Sequence, residues 1–452
     1  MGPDRDLLLQ LYHAAVEAAL PGPALAVAMT GMDEPLRDRV WVLALGKAAL
    51  PLATEAVTQL DTHGISPAGG LIVALGDAAS PHASLEVVTG DHPLPGARSI
   101  AAADAVERMV REVRPGDDVL VLLSGGTSSL IGAPVRGLSL DDLRTAHTLL
   151  LASGLDIARV NRVRKRLSRW GAGRLARALA HARLRVFIVS DVIGDDVASI
   201  GSGPCSPDPT RAEHVIALLV EADLLDAMPP AVRTLLDRTS RGTVPETPKP
   251  DDVAFRGVEI SIIANNAIAL EAAAGRARTL GLDPHVRSRP LRGEAATSGA
   301  RFADRLMAEP LESGPPVQEH SAVAGASGGA ARCVLAGGET TVTLGEDAGT
   351  GGRCQEFALA AAQRLAGTDR RITLLAAGTD GCDGPGDAAG AVVDGSTWSR
   401  IRAAGRDPAQ DLAQHDAGTA LAAADALVHT GPTGTNVMDV VFAIVRPPAS
   451  EL

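Results

Sequence analysis

The chain has 452 residues, more than one compact core accommodates, so two or more domains are expected. Apolar residues make up 46% and charged residues 21%, which excludes a wholly disordered or fibrous chain, and the 2% aromatic content leaves Ala, Val, Leu and Ile to build the core. A formal net charge of −12 argues against general affinity for nucleic acid or anionic membrane, and no stretch reaches the roughly 18 apolar residues that would span a bilayer.

In chain order, short apolar runs alternate with glycine-rich turns and Ala/Leu-rich helical stretches. Strands are expected at Val40–Leu45, Leu71–Leu75, Leu85–Thr89, Val119–Leu123 and Arg185–Val189. Each is apolar throughout, as strands of a helix-covered parallel sheet are. Helices are expected at Ala101–Val113 and Asp141–Ala152. This alternation describes a doubly wound α/β lobe. The polar, Pro- and Thr-rich segment Arg238–Pro250 reads as the connection between lobes, dividing the chain into 1–245 and 246–452. Beyond it, strands are expected at Glu259–Ala264, Cys333–Ala336, Thr340–Leu344, Ile372–Ala376 and Val437–Val445. Helices are expected at Ala267–Leu280 and Glu294–Ala308, and a loop over Glu309–Ala331, giving a second α/β lobe. An α/β chain of two lobes directs attention to the crevice between them, near the carboxyl ends of strands.

The polar and glycine residues cluster just after the strands. Lys47, one of three lysines in the chain, falls where a helix should begin. A cation is disfavoured there by the helix dipole unless an anion offsets it. Ser124-Gly125-Gly126-Thr127-Ser128 follows a strand directly; its glycines and hydroxyls suit a phosphate, or simply a tight turn, and it is not a Walker A sequence. Asp91 and His92 sit in a proline-stiffened loop and serve either a site or an Asx-type turn. Lys165 belongs to the run Asn161–Arg166, a phosphate-binding edge or a solvated basic face. Asp191 follows the Arg185–Val189 strand, where a carboxylate holds a metal, orients a hydroxyl or caps a helix. In the second lobe Glu339 follows a strand, and Arg353 stands behind glycines at a helix start, as a clamp for an oxyanion would. Asp380 and Asn436 lie in the glycine-rich loops Gly378–Gly384 and Gly431–Asn436. The four cysteines, Cys205, Cys333, Cys354 and Cys382, form no paired spacing, which fits a reducing cytoplasm.

Taken together, GDHPLPGARS from Gly90, LSGGTSSL from Leu123, VSDVIGDDVASIGSGP from Val189, GGETTVTL from Gly337, GTGGRCQEFALA from Gly349, GTDGCDGPGDAAGAVVDG from Gly378 and GPTGTNVMDV from Gly431 resemble the MOFRL-type (class II) glycerate 2-kinases over essentially the whole chain. The resemblance implies a Rossmann-like three-layer αβα N-terminal lobe, a smaller α/β C-terminal lobe, and an active site in the cleft between them. It implies transfer of the γ-phosphoryl group of Mg-ATP to the C2 hydroxyl of D-glycerate. Lys47 and Arg353 match the positions that stabilise the transferred group. Ser124 to Ser128 would cradle nucleotide phosphates, with Asp191 and Asp380 as candidates for Mg²⁺. Cys382 and Met438 depart from the usual family residues, as does the loop Asp411–Asp416. A competing reading, an NAD(P)H-dependent hydroxypyruvate reductase, lacks the Gly-x-Gly-x-x-Gly opening of a dinucleotide site: the first turn is Leu45-Gly46-Lys47. The sequence leaves the oligomeric state open, a homodimer being one option.

Overall fold

A computed structural model describes residues 2–309, 331–345 and 348–446. The expected loop at Glu309–Ala331 lies, from 310 to 330, outside the described residues. The chain forms two compact units, one of Pro21–Ile263 and one of Met1–Leu20 with Ala264–Leu452. The division expected at 245 therefore falls 18 residues later in the chain, and the N-terminal helix Pro3–Ala18 joins the second unit.

The Pro21–Ile263 unit is built on a six-stranded sheet of β1 (Val40–Leu45), β2 (Gly69–Ala74), β3 (Leu85–Thr89), β4 (Asp118–Leu123), β5 (Arg183–Val189) and β6 (Val258–Ala264). Their order is β3-β2-β1-β4-β5-β6. The β1–β2, β2–β3, β1–β4 and β4–β5 pairs are all parallel. The order reverses between β1 and β4, the switch point at which open parallel sheets leave a crevice beyond their carboxyl ends. β6 was expected to open the second lobe; instead it is the edge strand beside β5. Trp41, Leu43 and Leu45 of β1 and Val119, Val121 and Leu123 of β4 form one buried cluster with Ala102, Val106 and Met109 of the helix Ala97–Glu112. The alternate side chains, Val42, Ala44, Leu120 and Leu122, are equally buried and point to the other face. The helix Ala49–Thr62 packs against β1, β2 and β4 there. Burial on both faces explains the uninterrupted apolar runs. A separate helical group, Leu140–Ala152, Ile157–Leu167, Ala212–Glu221 and Pro230–Ser240, has its own core around Leu143, Val163 and Leu219.

The other unit carries β7 (Asp283–Val286), β8 (Arg332–Gly338), β9 (Arg371–Gly378), β10 (Gly390–Asp394), β11 (Leu427–Val428) and β12 (Asp439–Arg446), in the order β11-β10-β9-β12-β8-β7. Only β7–β8 is parallel; β8–β12, β12–β9, β9–β10 and β10–β11 are antiparallel. The expected strand Thr340–Leu344 does not form. Thr341 makes one isolated bridge to Glu294, and the chain otherwise runs without a ladder. The helix Arg353–Leu365 is the most deeply buried helix of this unit's core, with Phe357, Ala358 and Leu359 against Val441 and Leu374. The helix Pro3–Ala18 seals the unit by burying Leu8, Leu11, Tyr12 and Ala15.

Candidate active site

In the Pro21–Ile263 unit the turn after β1 is knitted to the loop after β4. The Lys47 N–H donates to the Gly125 carbonyl at 2.8 Å, and the Ala48 N–H donates to Ser124 Oγ at 2.9 Å. Thr127 Oγ1 donates to the carbonyls of Leu45 and Ser124, each at 2.9 Å. Gly46 has φ +117°, and a Cβ there would stand 2.3 Å from Ser124 Oγ, so the two turns meet only because the residue is glycine.

These turns leave the Lys47 side chain exposed along the loop. A Cβ on Gly126 would lie 3.2 Å from Lys47 Cγ and 3.4 Å from His92 Cδ2. One on Gly125 would lie 1.9 Å from Asp191 Oδ2. Lys47, His92, Asp191, Gly125, Gly126 and Ser124 thus gather around one loop at the carboxyl ends of β1, β4 and β5. Ser128 Oγ closes the group at 2.7 Å from Ser202 Oγ. Partial burial, and then the charge of Lys47, holds the His92 imidazole below its ordinary value. It is neutral near pH 7 and leaves Lys47 as the cation of the group.

Asp91 and Lys165 do other work in this structure. Asp91 caps the helix Ala97–Glu112, accepting from the N–H groups of Arg98 at 2.9 Å and Ser99 at 3.3 Å and from Arg98 Nε at 3.0 Å. Burial alone would raise its pKa, but these Arg98 and Ser99 bonds hold it below the usual carboxylate range. Lys165 is neither a solvated residue nor an open edge. It is 5% exposed, and its Nζ sits 2.9 Å from Asp208 Oδ1. Asp208 also accepts from Thr247 Oγ1 at 2.9 Å, and Arg166 pairs with Glu246 at 3.0 Å. Burial opposes ionisation of Asp208, and Lys165 foremost keeps it ionised.

In the other unit Arg353 opens the helix Arg353–Leu365. Its Nε and Nη2 bind Asp439 Oδ2 and Oδ1 at 2.6 and 2.8 Å, and its Nη1 lies 3.0 Å from Glu339 Oε1. Burial disfavours the charge, yet Asp439 and Glu339 raise the guanidinium pKa further. The helix start is capped by Asp383, which accepts from the N–H groups of Cys354 at 3.0 Å and Gln355 at 2.8 Å. Asp439 opens β12 and is 4% exposed. Its backbone is pinned: Asn266 Nδ2 donates to the carbonyls of Val437 and Asp439 at 2.9 and 3.0 Å, and Thr379 Oγ1 donates to that of Met438 at 2.6 Å. Asp380 and Asn436 shape their own loops, accepting from the N–H groups of Cys382 at 3.1 Å and Met438 at 3.0 Å. Asp380 nonetheless stays at this sheet end, since a Cβ on Gly378 would lie 3.0 Å from Asp380 Oδ1 and 3.7 Å from Asp439 Oδ1. Among the described residues no three His, Cys, Asp or Glu side chains group as a metal cage. No described helix is long and apolar enough to cross a membrane.

Asp439, Asp383 and Ser202 each lie in a motif quoted above, but none of them was assigned a role of its own from the sequence. The available signal for Asp439 was a lone acid immediately before the apolar run Val440–Val445.

The fold and these loops define an α/β protein of two sheets, with anion-suited turns at the ends of strands in each. A domain of unknown function (DUF4147) matches residues 7–237, and the MOFRL family matches residues 332–439. A glycerate 2-kinase of Pyrococcus horikoshii is 35% identical over 98% of this chain and 97% of its own. A protein of Agrobacterium vitis, provisionally named a hydroxypyruvate reductase, is 38% identical over 96% of this chain and 93% of its own. The crystal structure of a glycerate kinase from Thermotoga maritima superposes with a TM-score of 0.83 at 32% identity, covering 97% of this chain and 99% of that one. The chain belongs to the MOFRL-type, class II glycerate kinase family.

Proposed function

We propose that the protein is an ATP-dependent glycerate 2-kinase, transferring the γ-phosphoryl group to the C2 hydroxyl of D-glycerate. The observation that carries this reading is Lys47, exposed against the Gly125–Gly126 loop with His92 and Asp191 beside it. Phosphoryl transfer asks a protein for positioning and for charge opposite the equatorial oxygens. Lys47 is assigned that charge. Ser124, Gly125, Gly126, Thr127 and Ser128 form a small-residue turn that lets phosphate oxygens approach the backbone. Asp191 is assigned the glycerate hydroxyl or the metal. Arg353, fixed by Asp439 and Glu339, keeps its remaining N–H donors for an oxyanion without reorganising. Mg²⁺, when bound, would neutralise phosphate charge. Single carboxylates at Asp191 and Asp380 suit an ion held mainly by substrate phosphates and water rather than by a protein cage. Four unpaired cysteines, three of them buried, suit the cytoplasm as its compartment.

The Agrobacterium vitis relative keeps a reductase reading in view, but the first βα turn is Gly46-Lys47 and has no dinucleotide glycine pattern. Purified protein with Mg-ATP and D-glycerate should yield 2-phosphoglycerate, and Lys47→Ala should lower kcat/KM by about 100-fold or more. Only 3-phosphoglycerate would overturn the regiochemistry. NADH oxidation with hydroxypyruvate and no phosphorylated product would replace the kinase with the reductase.

A further inference from the structure

Outside these loops, the edge of the second sheet holds a concentration of positive charge that the kinase reading does not use. A cavity of about 290 Å³ lies between the segment following β7 and the helix Ala295–Ala308. Arg287, Ser288, Arg289, Arg305 and Glu309 line it, over an apolar floor that includes Leu291 and Phe302. Its one carboxylate among the described residues is already committed: Glu309 pairs with Arg287 and, at 2.8 Å, with Arg332. Arg370 Nη1 donates to the Glu309 carbonyl at 2.8 Å, bringing a further cation to the same corner. The neighbouring acid, Asp304, is taken by Arg364 at 2.7 Å. Arg289 and Arg305 make no side-chain hydrogen bond or ion pair among the described residues.

Among the described residues, one carboxylate set against Arg287, Arg289, Arg305 and Arg332 leaves a local surplus of positive charge, in a chain whose formal charge is −12. Like charges held in a concave wall repel one another, and a bound anion relieves that repulsion. The guanidinium fork matches the oxygens of phosphate and carboxylate groups, and the hydroxyl of Ser288 adds a further hydrogen-bonding group. The volume lies at the small end of ligand sites, which fits a compact metabolite.

We propose that this cavity is a binding site for a small polyanion, a molecule carrying a phosphoryl group or several carboxylates, held by Arg289 and Arg305 with Arg287 behind them. Arg287, Arg289 and Arg305 are not among the residues assigned to catalysis, and the proposal does not depend on the kinase reading.

The test is calorimetric titration of the full chain with pyrophosphate and, in a second series, with citrate. Three proteins are compared: the unaltered chain, the double variant Arg289→Glu/Arg305→Glu, and Lys47→Ala. Thermal melting confirms that each is folded. Binding by the unaltered chain should persist in Lys47→Ala and weaken by at least about 30-fold in the double variant. It should also weaken as salt rises. Pyrophosphate alone binding would assign the site to phosphoryl groups, and both ligands binding would assign it to polyanions generally. Equal affinity in the double variant, or no binding by the unaltered chain, would overturn the proposal.

Discussion

Replacing Asp439 with Asn tests whether Arg353 acts as a fixed cation. The substitution keeps the size of the side chain and removes its charge. Asp439 receives two guanidinium N–H groups at 2.6 and 2.8 Å with its side chain 5% exposed. An asparagine can accept only one of them, and its amide presents a donor to the other. A charge-assisted bond of this kind is worth about 1.5–3 kcal/mol. Breaking a buried pair by neutralising one partner costs about 3–5 kcal/mol when no other group compensates. Here Glu339 still faces the guanidinium at 3.0 Å, and Arg353 is partly exposed, so the lower end, about 3 kcal/mol of stability, is expected. At a temperature where the variant is folded, kcat/KM should fall by about 100-fold, because the guanidinium is no longer aimed. The assay is a double-mutant cycle with Arg353→Ala, measured by phosphoglycerate formation. If Asp439 works through Arg353, Asp439→Asn adds little once Arg353 is gone. Fully additive losses, or an unchanged kcat/KM in the folded single variant, would refute the reasoning.

Lys165→Ala should act on stability first, because it removes the nearest countercharge of the buried Asp208 carboxylate. A loss of about 3 kcal/mol, or roughly 6–12 °C in melting temperature, is expected, while loss of ATP affinity in the folded variant would return Lys165 to the nucleotide site. His147 is 4% exposed among the helices of the first unit, with neither ring nitrogen hydrogen-bonded among the described residues. Burial, and then the charge of Arg164, pushes its pKa down to about 3. The unfolded chain binds this proton near pH 6.5 and the folded chain does not, so stability is whole above that pH and is lost as pH falls from about 6.5 towards 3. His147→Leu should flatten that part of the acid limb in a pH series of urea melts; an unchanged limb would show that His147 is not the group responsible.

The parts of the fold visible in the sequence were those set by local chemistry. β1 and β3 fall where their apolar runs place them, and the helix Asn266–Thr279 is shifted by a single residue. The same physics misled at Thr340–Leu344, where threonine alternation imitates a strand. The chain there finds no partner beyond the bridge at Thr341. Strand direction in the second sheet was equally hidden, because Val441, Phe442 and Ala443 are buried on both faces whichever way their neighbours run. At the site, the turns around Lys47 and Gly125 were legible because glycine and charge are unusual after apolar strands. Lys165 was not, since its partner Asp208 lies 43 residues downstream and nothing in the local charge run announces it. Arg353 was singled out without Asp439, whose pairing across 86 residues is made by the meeting of a helix start with a strand start.

The split composition of the second unit also sets an order of events at the ribosome. The helix Pro3–Ala18 is made before the surfaces that bury Leu8, Leu11 and Tyr12, which belong to the helix Asn266–Thr279, β9 and β12. Arg446, which pairs with Asp4 at 2.7 Å, is added 442 residues later. At roughly 5–20 residues per second, the nascent helix waits about 20–90 seconds with its apolar stripe uncovered. Residues 21–263 can complete their own sheet in that interval, so this helix is made before that unit and docks after it. Asp4 at the start of that helix pairs with Arg446 at the end of β12, so the docking is complete only once β12 has been made.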